Sequence, residues 1–148
     1  MAATPNILVP LDGSELAEEA IRVAIDIVAP ARGMLTLFVA ADPEAAAALH
    51  AYADSGEVTR AKAADAYLDQ VAARVRAEGV EAMKTSSDGT NVAIDIVDRA
   101  AADDITMIVL TSHGRSGIGR WLLGSVADKV ARSATVPVVI VPSPGRSV

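Results

Sequence analysis

At 148 residues and without a cysteine, the chain has the length of one domain and can form neither a disulfide nor a thiolate site. Hydrophobic residues make up 51% of it and aromatic ones only 3%, so the core must be aliphatic and rings are too few to stack along a single-stranded nucleic acid. A formal net charge of -6 also excludes a nucleic-acid backbone as main partner, and no apolar run reaches the length of a membrane span.

The opening MAATPNILVP lacks a basic segment ahead of a long apolar one, so no secretory signal is expected and the expected location is cytoplasmic. A first strand is predicted from Asn6 to Pro10, with Asp12-Gly13-Ser14 as turn and helix cap. Ala17, Ala20, Ile21, Ala24 and Val28 then line one helical face, and Pro30 and Gly33 end that helix. Met34 to Ala40 reads as a second strand. Residues 43–79 form a long alanine-rich connection split at Gly56, with Val58, Ala61, Leu68, Val71 and Val75 as a narrow apolar stripe. Its length marks it as the place for flexibility or a lid. Val80 to Thr85 is a weak third strand, Val92 to Ala101 a helix after the SSDGTN turn, and Met107 to Leu110 a buried strand. A helix from Ser125 to Ser133 and a strand from Val136 to Val141 follow, and residues 143–148 are expected to form a flexible tail.

Strands alternating with helical connections predict an α/β fold: a single, doubly wound, five-stranded parallel sheet with helices on both faces, in one domain spanning 1–148. Ligands of such sheets bind beyond the carboxyl ends of the strands, at the switch point. Those ends are Pro10 to Gly13, Val39 to Asp42 and Leu110 to Gly114.

The segment TSHGRSGIGRWLLGS, Thr111 to Ser125, joins a strand to a helix through a glycine-spaced loop that contains Arg115 and Arg120 and no acid. Backbone N–H groups at such a junction, with the positive end of the helix dipole, suit a phosphate. Known phosphate and hydrolase motifs do not fit. Arg120-Trp121 stands where a Walker loop needs Lys and Ser/Thr, and Leu122 where a dinucleotide fingerprint needs its third glycine. Ser116 lacks the final glycine of a nucleophile elbow, and with His50 and His113 the only histidines no histidine-rich metal site can form. A glycine cluster is most often only a loop, Ser125 an ordinary helix cap and His113 a packing residue; the acid-free loop between strand and helix favours the phosphate role. Asp12, before a helix that opens with Glu15, Glu18 and Glu19, suits a ribose hydroxyl or a divalent ion better than a phosphate.

Thr111, Gly114, Gly124 and Ser125 fall in the frame G-x2-G-x9-G-[S/T], and with GRSG, LLGSVAD, VPVVIV and the N-terminal NILVPLDGS the chain closely resembles the universal stress protein family. The resemblance implies a fold of the adenine-nucleotide alpha hydrolase type, a homodimer, and ATP, with magnesium or manganese, as ligand. Carried over by position, Pro10 and Asp12 flank the adenine, ribose and metal region, with Asp12 reaching a metal through the nucleotide. Val39 contacts the base, Leu110 and Thr111 line base and ribose, and Gly114, Gly124, Ser125 and Val126 hold the phosphates. Thr111 departs from the pattern, standing where the family has glycine, so its side chain is expected to project toward the nucleotide. A carboxylate at position 124 is expected to block phosphate without harming the helix start.

The implied function is an ATP-binding regulatory domain of the stress response with an unidentified protein partner, acting as a dimer through the Val136 to Val141 edge. A nucleotide-free interaction module of the same fold and a binder of AMP or a cyclic nucleotide are the alternatives. No catalytic residue is assigned, and slow ATP hydrolysis is the most enzymatic activity expected. An adenylyl-transferring enzyme is disfavoured because the chain has neither an H-x-G-H nor an S-G-G-x-D-S motif.

Overall fold

The computed structural model describes residues 4–52, 59–102, 104–113 and 123–142. Strands β1 (Asn6–Leu11), β2 (Met34–Ala40), β3 (Glu81–Ser87), β4 (Met107–Thr111) and β5 (Val138–Val141) form one parallel sheet in the order β3-β2-β1-β4-β5. Helices α1 (Glu15–Val28), α2 (Pro43–Leu49), α3 (Arg60–Ala77), α4 (Val92–Ala102) and α5 (Ser125–Ser133) connect the strands. The α/β class and parallel order expected from the alternating pattern are therefore present.

Side chains alternate across each strand, and this sorts the core into two layers. Ile7, Val9, Leu11, Leu35, Leu37, Val39 and Val109 pack under α1 and α3, while Leu8, Phe38, Ala40, Ile108 and Leu110 pack under α4 and α5. The chain winds outward from β1 through β2 to β3, returns to β4 on the other side of β1, and ends at β5. That reversal puts the first connections on one face and the last two on the other.

Several boundaries shift for local reasons. Pro137 has no N–H, and β5 begins one residue after it, although the Pro137 carbonyl still accepts from Ile108 N at 2.9 Å. In α1 the buried stripe includes Ile25, whereas Ile21 is only partly buried. In α3 the stripe is broader than the expected one: Leu68, Val71 and Val75 are joined by Ala63, Ala64, Tyr67 and Ala72, and Ala61 is exposed. Within the described part of the long connection α3 packs its buried face against the sheet and so belongs to the core layer instead of forming a lid; Val58 and Gly56 lie outside the described residues. The predicted tail 143–148 lies outside them too.

In this aliphatic core the largest fully buried side chain is nevertheless Tyr67. Its hydroxyl donates to Glu18 Oε2 at 2.8 Å, Glu18 Oε1 pairs with Arg74 at 2.7 Å, and Tyr52 meets the ring edge-on at 5.0 Å between centroids. A buried phenol needs such a partner, and this one ties α3 to α1. Burial, reinforced by the bond to Glu18, pushes the Tyr67 hydroxyl well above the ordinary tyrosine range. The folded state therefore keeps a proton that the unfolded chain releases near pH ~10, and stability falls as pH rises past that point. Tyr67→Phe is expected to lower the urea unfolding free energy by about 1–2 kcal/mol at pH 7 and to flatten the alkaline decline. Equal midpoints for the two proteins at pH 7 would show that the Glu18 bond contributes nothing.

Candidate functional site

The switch point lies between β1 and β4, and Pro10 stands just past the point where their registered pairing stops. Met34 N donates to Pro5 O and Thr106 N to Asn6 O, so the peptide groups of β1 face β2 and β4 alternately, and those of Pro10 face β4. Without an N–H, Pro10 offers that side no donor. Registered β1–β4 pairs end at Leu8↔Ile108, whereas β1 and β2 remain paired as far as Leu11↔Val39.

Beyond this divergence lies a cavity of about 320 Å³. Of the residues singled out in the sequence, Pro10, Asp12, Leu110, Thr111, Gly124, Ser125 and Val126 line it. Val39 does not, because its side chain is fully buried in the α1/α3 layer, so only its main chain is available on the cavity side. From β2 the cavity receives Phe38 and Ala40 instead, the residues of opposite parity. MLTLFVA is apolar at all positions but Thr36, so its pattern alone does not say which parity faces the cavity. Gly114, Arg115, Arg120 and Trp121 lie outside the described residues.

Asp42 and Ser112, placed in the sequence only within the converging strand ends, also line the wall, and sequence reasoning missed Glu44, Val92 and Ile96. Asp42 caps α2, its Oδ1 accepting from Ala45 N at 2.7 Å. Gly89, in the left-handed region at φ +77°, packs directly on the Asp42 backbone and so draws the start of α4 toward the start of α2. Asp12 Oδ1 accepts from Ser14 N at 2.9 Å and from Ser14 Oγ at 2.5 Å. The β1 and β2 side of the cavity is therefore acidic, with Asp12, Asp42 and Glu44, while apolar walls come from Phe38, Val92, Ile96 and Leu110. Among the described residues no group of three or more His, Cys, Asp or Glu side chains is arranged to hold a metal ion.

The β4 side has the opposite character. Ser14, Asp42 and Thr59 each cap their helix through a side-chain oxygen, and Asn91 Oδ1 accepts from Ile94 N in the first turn of α4. At α5 the capping residue is Gly124, with no side-chain bond. Ser125, Val126 and Ala127 follow it, their N–H groups have no carbonyl within the helix, and all three line the cavity. Gly124 is required by its backbone surroundings: its N–H donates to Ser112 O at 2.8 Å, and a Cβ on it would lie 2.6 Å from that same oxygen. An aspartate there would displace the strand-to-helix turn, contrary to the expectation that the helix start accepts one.

Thr111 is buried, and its Oγ1 donates to His113 O at 2.9 Å, so the hydroxyl is turned onto the local backbone while the residue still lines the cavity. Ser112 N donates to Val141 O at 2.9 Å, which holds the end of β4 to β5. Ser112 Oγ lies 3.2 Å from His113 Nδ1, and His113 itself is only 2% exposed.

A model of the universal stress protein family matches residues 4–142. A universal stress protein of Methanocaldococcus jannaschii is 29% identical over 142 residues, spanning 94% of this chain and 82% of its own. Among solved structures, the universal stress protein UspA of Lactobacillus plantarum is 26% identical with a TM-score of 0.72, covering 95% of this chain and 99% of that one. A universal stress protein solved in complex with cAMP is 25% identical with a TM-score of 0.69, over 96% of this chain and 99% of the other. Family model, relatives and fold agree: the chain belongs to the universal stress protein family.

Proposed function

We propose that this protein is a regulatory adenine-nucleotide-binding domain that takes ATP in the β1/β4 cavity and acts in the cytoplasm as a homodimer. The observation that carries this reading is the start of α5, where N–H groups without an intrahelical carbonyl and the Ser125 hydroxyl meet a cavity at the switch point with no side-chain cap from Gly124. The apolar wall of Phe38, Val92, Ile96 and Leu110 suits a flat base, and Asp12 suits a ribose hydroxyl or the nucleotide's magnesium or manganese. A bound nucleotide would thus lie with its phosphates toward α5 and away from Asp42 and Glu44, in the direction that electrostatics favours. Support also comes from the related protein solved with cAMP, a ligand with the same base and a single phosphate. For that reason AMP and cyclic AMP stand as the second class of ligand.

Ser125 begins α5, is exposed and faces the cavity, so a change there leaves the Ser112–Gly124 contact intact. Ser125→Asp should preserve the melting temperature, because a first-turn carboxylate favours the helix, while weakening ATP by at least about tenfold, or ~1.4 kcal/mol, in titration calorimetry. Ser125→Asn should stay close to the unmodified affinity. Equal ATP affinity in the Asp variant would remove the phosphates from α5.

The dimer is assigned to β5 because the two sheet edges differ. On β3, Glu81 is exposed and Lys84 Nζ is held 2.7 Å from Asp65 and 2.6 Å from Asp69, the charged dressing of an edge that stays single. β5 reads VVIV, half-buried and without a charge. Val139→Lys is expected to shift sedimentation from dimer to monomer with an unchanged circular dichroism spectrum. A persisting dimer would move the interface off β5.

A further inference from the structure

His113 is the one buried imidazole among the described residues, and nothing above uses its second nitrogen. Nδ1 faces Ser112 Oγ at 3.2 Å, whereas Nε2 is buried without a hydrogen-bond partner. Leaving such a group unmade costs stability unless something fills it. The ring's Cδ2, the carbon bonded to Nε2, lies 3.6 Å from the position a Gly124 Cβ would take, so this edge of the imidazole stands against the cap of α5. The residues on either side of it in space, Ser112 and Gly124, both line the cavity.

We propose that His113 is an anion-binding residue: Ser112 Oγ donates to Nδ1, the proton resides on Nε2, and Nε2–H is held for a phosphate oxygen at the N-terminus of α5. Two independent observations stand side by side, a helix start without a side-chain cap and an unpartnered buried ring nitrogen. The backbone supplies donors whose directions are fixed by the helix, and the imidazole adds one from the β4 side. Thr111 Oγ1, bonded to His113 O, steadies the backbone that carries the ring. This assignment rests on the nucleotide reading of the same cavity and adds to it a side chain that the glycine signature does not contain.

The test is a long-range proton–nitrogen spectrum of the imidazoles of the whole protein, recorded alone and with saturating ATP-magnesium, AMP or adenosine, alongside calorimetry with each. The Nε2–H tautomer is expected in the free protein, with Nε2 shifting on addition of ATP and AMP and remaining in place with adenosine, which has no phosphate. His113→Ala should weaken ATP about tenfold and leave adenosine unchanged, and His113→Gln, which retains a donor, should recover part of the loss. ATP binding with an unmoved Nε2 signal overturns the His113 assignment and leaves the nucleotide reading standing, and this holds even where a variant does not fold. No binding of ATP or AMP overturns both.

Discussion

The geometry of this molecule depends on the loss of one hydrogen-bond donor at the end of its central strand. β1 is paired on both sides at Ile7 and Leu8, and at Pro10 the peptide group facing β4 has no N–H to give. The registered pairing of the two strands stops at Leu8, and the sheet reverses its winding between them. The connections that leave the two strands part there, because α1 follows β1 onto one face of the sheet and α5 follows β4 onto the other.

Around that opening the chain separates its charges. Carboxylates at the ends of β1 and β2 serve as turn and cap residues, Asp12 for Ser14 and Asp42 for Ala45, while they also face the cavity. The end of β4 has none, and its helix is capped by a glycine that the Ser112 carbonyl allows no side chain. On the proposed reading, an overall negative protein takes an anion because the favourable field is local, fixed in backbone N–H groups at the start of α5, and apart from the acids at the ends of β1 and β2.

Much of this was legible in the sequence. The bounds of β2 and α5 follow directly from MLTLFVA between Gly33 and Pro43 and from the Gly124-Ser125 start, since strong punctuation flanks both. What escaped was information that depends on parity or on contact between distant segments. Val39 and Phe38 are adjacent and similarly apolar, and only the sheet face decides which side chain meets the cavity. Glu44 is hidden in an alanine-rich stretch with no motif, Asp42 was named only as a strand end, and Gly89 packs on the Asp42 backbone from nearly fifty residues away. Gly124 was recognised for its spacing, whereas its physical reason, the Ser112 carbonyl, is visible only once β4 and α5 are in place. The Tyr67–Glu18 bond joins two helices whose separate patterns gave no hint of each other.

The central claim is that the β1/β4 cavity holds an adenine nucleotide, and the most direct measurement is to denature the freshly purified protein and identify by mass whatever small molecule it releases. The account predicts an adenine nucleotide carrying at least one phosphate, in a stoichiometry approaching one per chain, and its displacement by added ATP. A protein that releases none, and that in calorimetry binds neither ATP, AMP nor cyclic AMP, would contradict it and leave an interaction module whose cavity has no ligand of this class.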